Sequence, residues 1–139
     1  MKKTKPLICG PERHDFHDSA LIGFEISRDL RTISVELEIG YGRFRGQLCR
    51  LTFSQVLSFE FETIGLGIAG SQLVDVHDIY RVTDSEQIKR WEDKLIGSGT
   101  PKSEARVHHI VLASGDFRGS HPRSQGIEIL CRRVEVQTM

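Results

Sequence analysis

Cysteine is scarce in this chain: three in 139 residues, Cys9, Cys49 and Cys131, no two of them close together. That spacing supports neither an even disulfide framework nor a paired zinc motif, so the thiols are expected to be reduced, as in a cytoplasmic protein. Long apolar runs are missing too. Nothing approaches the roughly 18 residues of a membrane span. The opening "MKKTKPLICGPERHD" is cationic, but its apolar stretch is only Leu7-Ile8-Cys9 before Gly and Pro, against the roughly 7 to 15 residues of a secretory signal. Net charge is absent, with 19 Lys plus Arg against 19 Asp plus Glu. A weak overall field argues against broad nucleic-acid binding and against adhesion to a charged membrane. Arg supplies 13 of the 19 cations, a bias toward forked, directional hydrogen bonds at contact surfaces.

What is present is alternation. "TISVELEI" sets Ile33, Val35, Leu37 and Ile39 against Thr32, Ser34, Glu36 and Glu38, the pattern of a half-buried antiparallel strand. "LIGFEIS" before it predicts Ile22, Phe24 and Ile26 on one face, joined to its neighbour through the short "SRDLR". "QLCRLTF" and "VLSFEFE" continue the series, and these four segments predict an antiparallel meander with one wet face. "QLVDVHDIY" reads as a fifth strand with Val74 and Val76 inward. The helix signal lies in "TDSEQIKRWEDKLIG": Thr83 and Glu86 make a capping box, Ile88, Trp91 and Leu95 form a stripe, and Gly97 is a natural stop. Two more strands follow, "ARVHHIVLAS" and "GIEILCRRVEVQ". In the last, Ile127, Ile129 and Cys131 are out of phase with Val134 and Val136, which predicts a bulge near Arg132-Arg133. The fold class expected is α+β, an antiparallel sheet of about six to seven strands with a helix over about residues 84–96 packed on it. A flexible tail over 1–13 and a single domain over 14–139 complete the expectation.

One motif invites a wrong reading. "GLGIAG", Gly65 to Gly70, matches the dinucleotide fingerprint letter for letter, but that fingerprint needs a buried parallel strand turning into a helix. Here a half-exposed antiparallel strand precedes it and a strand pattern follows, so the stretch reads as a glycine connector and no cofactor is expected. The linker "GDFRGSHPRSQG" is long for a compact domain, and is expected to be either disordered or a contact surface.

Histidines and aspartates invite a metal or acid–base reading. Asp75 and His77, two apart on a strand, share a face, and His17 could join them as a 2-His-1-carboxylate site. A metal-dependent hydrolase is therefore an alternative. Against it, no ligand spacing is diagnostic, no G-x-S-x-G elbow is present, and each Cys sits in the tail or in a strand pattern. For His17-Asp18 the stronger reading is an anchoring pair at the start of a strand. His108 and His109 must face opposite ways, so at most one of them joins any site.

The order of features, a His-Asp-x-x-Leu opening in "HDSAL", the hairpin "LIGFEIS…TISVELEI", "LTFSQVLSF" and the closing pair "HHIVLAS…GIEILCRRVEV", resembles small bacterial α+β proteins grouped with the immunity proteins of polymorphic toxin systems. The resemblance runs over residues 14 to 136. It implies a cytoplasmic protein without enzymatic activity that neutralises a toxin by binding and covering it. A protein interface needs aromatic or Arg anchors within a polar rim. Phe117, Arg118 and Arg123 in the long linker, and Tyr41, Arg43 and Phe44 in "GYGRFRG", are the residues placed to supply them. Open sheet edges would also allow two copies to pair as a homodimer.

Overall fold

The structure, a computed structural model, describes residues 4–9, 14–61, 74–76, 78–83, 85–113 and 126–139. Among these residues the chain runs β1 (Thr4–Pro6), β2 (Ile8–Cys9), β3 (His14–Asp15), β4 (Ser19–Ile26), β5 (Thr32–Glu38), β6 (Leu48–Phe61), β7 (Val74–Val76), β8 (Asp78–Val82), α1 (Glu86–Gly97), β9 (His108–Ala113) and β10 (Gly126–Thr138). The class is α+β with an antiparallel sheet and one helix, as the alternation predicts.

Eight strands form one sheet in the order β1-β8-β9-β10-β6-β5-β4-β7, and β2 pairs with β3 alone. The meander holds for β4, β5 and β6, after which the C-terminal β10 inserts between β6 and β9. Val76 ends β7 and Asp78 begins β8, yet β7 pairs with β4 and β8 pairs with β9. One intervening residue cannot span an open sheet, whose strands lie roughly 4.8 Å apart. The sheet therefore rolls up until its ends meet, a ring of six with β7 and β8 as successive parts of one member.

The ring encloses the core. Phe16, Ile33, Val35, Leu37, Leu51, Phe53, Ile110, Leu112, Ile127 and Ile129 are among its buried side chains, each worth roughly 1.5–3 kcal/mol on removal from water. The expected N-terminal tail is in part built into this body. β1 pairs with β8, the Leu7 N–H donates to the Ile79 carbonyl at 2.7 Å, and the Leu7 side chain is 2% exposed.

Bulges place several residues away from their expected faces. Leu21 pairs with Leu37 and Gly23 with Glu36, so Ile22 is left over. It is 50% exposed, and Leu21 packs on the core with Phe24 and Ile26 in its place. The segments expected as third and fourth strands are one strand, β6, bent where Gln55 takes a φ of +52° and the ladder to β5 ends. The phase change near Arg132-Arg133 is present: Cys131, Val134 and Val136 all pack on one core. The register shift itself lies earlier than expected, between Leu130 and Cys131: Leu130 pairs with Ser58 and Cys131 with Val56, which leaves Leu57 of β6 unmatched, and the register to β6 does not shift again beyond Cys131.

The helix starts later than the capping box suggests. Ser85 is the N-cap, its Oγ accepting from the Gln87 and Ile88 N–H groups at 3.2 and 3.4 Å. At the other end Gly99, not Gly97, takes the left-handed conformation. Its N–H bonds to the Ile96 carbonyl and that of Thr100 to Leu95, the paired closure that satisfies the last helical carbonyls. Ile88, Trp91 and Leu95 are half-buried, and Lys94 lies 4.6 Å from the Trp91 ring centroid. The tryptophan is thus a covering residue shared with a lysine, not a deep core anchor.

Candidate functional site

Two groups of functional side chains emerge. The first is an exposed face where the turn before β4, the loop between β5 and β6, and the start of β8 meet. Phe16 is fully buried and fixes the turn from within, while the Ser19 hydroxyl donates to the Phe16 carbonyl at 2.8 Å. Asp18 takes a φ of +53°, which Asp tolerates better than most residues. Between them His17 projects outward. Its Nε2 is 3.3 Å from Asp18 Oδ2 and its Nδ1 is 3.7 Å from Asp78 Oδ2. Asp78 is nearly buried, and its other oxygen accepts from the Ile79 N–H at 2.8 Å. The "HDFHDS" opening is therefore a turn anchored by an aromatic, with a histidine held between two carboxylates.

Tyr41 stands edge-on to His17, ring centroids 5.5 Å apart and planes at 88°, the arrangement that ring quadrupoles favour. It is nevertheless 59% exposed. Its loop is closed by hydrogen bonds from Gly46 to Ile39 and from Ile39 to Gln47, and Gly42 and Gly46 supply φ values of +83° and +88° that other residues adopt at a cost. Gly40 is required by proximity: a Cβ there would lie 1.9 Å from the Asp18 carbonyl oxygen. Next along the loop, Arg43 is exposed, with its guanidinium 5.4 Å from the centroid of Phe44, which packs on the core. The face is aromatic, cationic and hydrogen-bonding.

The second group lies between helix and sheet. His109 is fully buried; its Nδ1 sits 2.9 Å from Ser85 Oγ and its Nε2 bonds to Glu128 Oε1. A neutral imidazole satisfies both contacts, accepting from the Ser85 O–H and donating to the Glu128 carboxylate. The three residue types are those of a hydrolytic triad, but here the hydroxyl is also the acceptor for two helix N–H groups and Ser85 is only 8% exposed. The network clasps the helix N-terminus to β9 and β10. On the neighbouring position Arg81 donates to His108 Nδ1. Burial first, then the Arg81 and Arg106 guanidiniums, push His108 below the usual imidazole range. Cys131, paired with His108 across the ladder, has its thiol pushed up to about 12 by burial, which makes it packing rather than a nucleophile.

No protein-family model matches the chain, and no curated protein matches it. Among solved structures, an uncharacterized protein from Neisseria gonorrhoeae is similar. It shares 12% identity over 100% of this chain and 99% of that one, with a TM-score of 0.50. At that identity the likeness concerns the fold alone.

The structure brings together residues that the sequence assigned to different readings. His17, a metal candidate, touches Tyr41, a partner-binding candidate, and Arg43 and Phe44 share that loop. Asp75 lies on β7 opposite Ala20, and His77 lies outside the described residues, as do Phe117, Arg118, Arg123 and the "GLGIAG" stretch. Among the described residues no three His, Cys, Asp or Glu side chains gather as a metal site, and no helix is long and apolar enough to cross a membrane. Ser85, Glu128 and the Arg81–His108 contact were not singled out from sequence. Their one sequence signal is a Glu and a His at outward positions of adjacent, otherwise apolar strands, and it becomes informative only once the register is known.

Proposed function

We propose that this protein is a non-catalytic binding module that engages another protein through the face carrying His17, Tyr41 and Arg43. The partner class is the one the sequence resemblance implies, a toxin neutralised by being covered. The observation that carries the reading is Tyr41, which is mostly exposed yet held by the His17 ring and by a hydrogen-bonded glycine loop. An exposed Tyr braced by a neighbouring ring, beside an exposed Arg, is the composition of an interface anchor, and such bracing lowers the entropy lost on association. Asp18, exposed at the rim, supplies the polar border. Two buried thiols, Cys49 and Cys131, suit a reducing compartment such as the cytoplasm.

The test is affinity capture with the full-length protein from the cells that carry it, followed by calorimetry of the captured partner against Tyr41→Ala and Arg43→Ala. Each variant is expected to keep its melting temperature and to lose roughly tenfold or more in affinity. The absence of any stoichiometric partner, or an affinity in both variants unchanged from that of the unsubstituted protein, overturns the reading.

A further inference from the structure

The space between the end of β8, the start of β9 and helix α1 is a cavity of about 480 Å³, within the range of small-ligand pockets. Its polar lining is unbalanced. Arg81 and Arg106 both face it, and among the described residues no carboxylate lies within ion-pair distance of either. The one carboxylate in the lining, Glu92, turns its Oε2 to the Val107 backbone N–H at 3.0 Å. Arg has no acceptor, so its contact with His108 fixes Nδ1 as the acceptor and leaves the ring proton on Nε2. The cavity thus presents guanidinium N–H groups and an imidazole N–H, with little to receive them. Val82, Ile88 and Val107 add an apolar wall.

We propose that this cavity binds a small organic anion, a carboxylate or a phosphate monoester. Its charged group sits between Arg81 and Arg106, and its apolar part lies on Val82, Ile88 and Val107. Guanidinium forks match both oxyanions, and such charge-assisted bonds are about twice as strong as neutral ones. The site is separate from the His17–Tyr41–Arg43 face and does not depend on it. Binding also couples to pH. The groups facing His108 are Arg81 from β8, Arg106 from the segment before β9, Glu92 from α1, and the Cys131 thiol paired with it across the ladder on β10. An anion placed among them offsets the two guanidiniums and favours the imidazolium, so by linkage a carboxylate binds more tightly as pH falls through the His108 midpoint of the complex.

The experiment titrates the full-length protein with inorganic phosphate and, separately, with benzoate at constant ionic strength, and follows backbone amide and His108 ring resonances. Saturating, one-to-one shifts at Arg81, Arg106 and His108, with the His108 midpoint moving up, are expected from at least one probe. Saturation by phosphate alone identifies a phosphate ester, and by benzoate alone a carboxylate. Arg106→Ala is the deciding variant, because that side chain is exposed and the fold does not rest on it; it should weaken binding roughly tenfold or more. Arg81→Ala should do the same, with its melting temperature checked because it also bonds His108. Shifts that grow linearly with both probes, or saturation unchanged in Arg106→Ala, overturn the proposal.

Discussion

Gly40 carries more of the exposed face than any charged residue on it, because it sets the distance between two loops. A methyl group there would fall at 1.9 Å from the Asp18 carbonyl oxygen, so Gly40→Ala must push the Tyr41 loop away from the His17 turn. Such overpacking is expected to cost about 1–3 kcal/mol. It should also part the Tyr41 and His17 rings, visible as a loss of ring-current shift on the His17 imidazole protons. An unaltered His17 spectrum and an unaltered urea midpoint in Gly40→Ala would show that the close approach is not needed. Tyr41, Arg43 and Phe44 could be singled out in the sequence because glycines and aromatics together mark an exposed turn. The His17–Tyr41 contact could not, since it joins segments more than twenty positions apart and depends on how the β5–β6 loop folds back.

At the scale of elements, α1 is tied to the sheet mainly by its N-cap, Ser85. None of its residues is fully buried, whereas Ser85 caps the helix and bonds His109 in the same place. Ser85→Ala removes the cap, worth about 1 kcal/mol, and leaves a buried imidazole nitrogen without its donor, worth about 1–3 kcal/mol. A combined loss of about 2 kcal/mol or more in urea unfolding is expected, with amide exchange fastest over α1 and partial recovery in Ser85→Thr. A loss well under 1 kcal/mol would mean that the Trp91 stripe holds the helix instead. The existence of this helix and its stripe were legible from spacing; its start was not, because Thr83 and Ser85 are both good caps and only the position of His109 chooses between them. The strands show the same limit. Alternation located β4, β5 and β6, but it placed Ile22 inward and divided β6 in two, since a bulge shifts phase by one residue without a mark of its own in composition.

For the whole molecule, the controlling feature is closure. A sheet of this order has a protected interior only if β7 and β8 join its two ends, and the last stretch of that seam is covered by β1, which pairs Thr4, Lys5 and Pro6 with Val82, Arg81 and Tyr80. Sequence pattern could not reveal this, because three residues of strand ahead of a Gly-Pro pair have no periodicity to read. The consequence is that residues 4–7 are structural. Leu7→Ala, at a position 2% exposed, should cost about 2–5 kcal/mol, while Leu7→Met should cost less than about 1.5 kcal/mol. Deleting residues 1–7 goes further, for it uncovers the β8 edge, and an unprotected edge pairs with other chains. The truncated protein is expected to unfold at lower urea and to show a concentration-dependent rise in mass by light scattering beyond that of the full chain. A truncated protein that keeps the mass of the full chain at every concentration, with an unchanged urea midpoint, would show that the ring closes without β1 and that Leu7 adds nothing to the core.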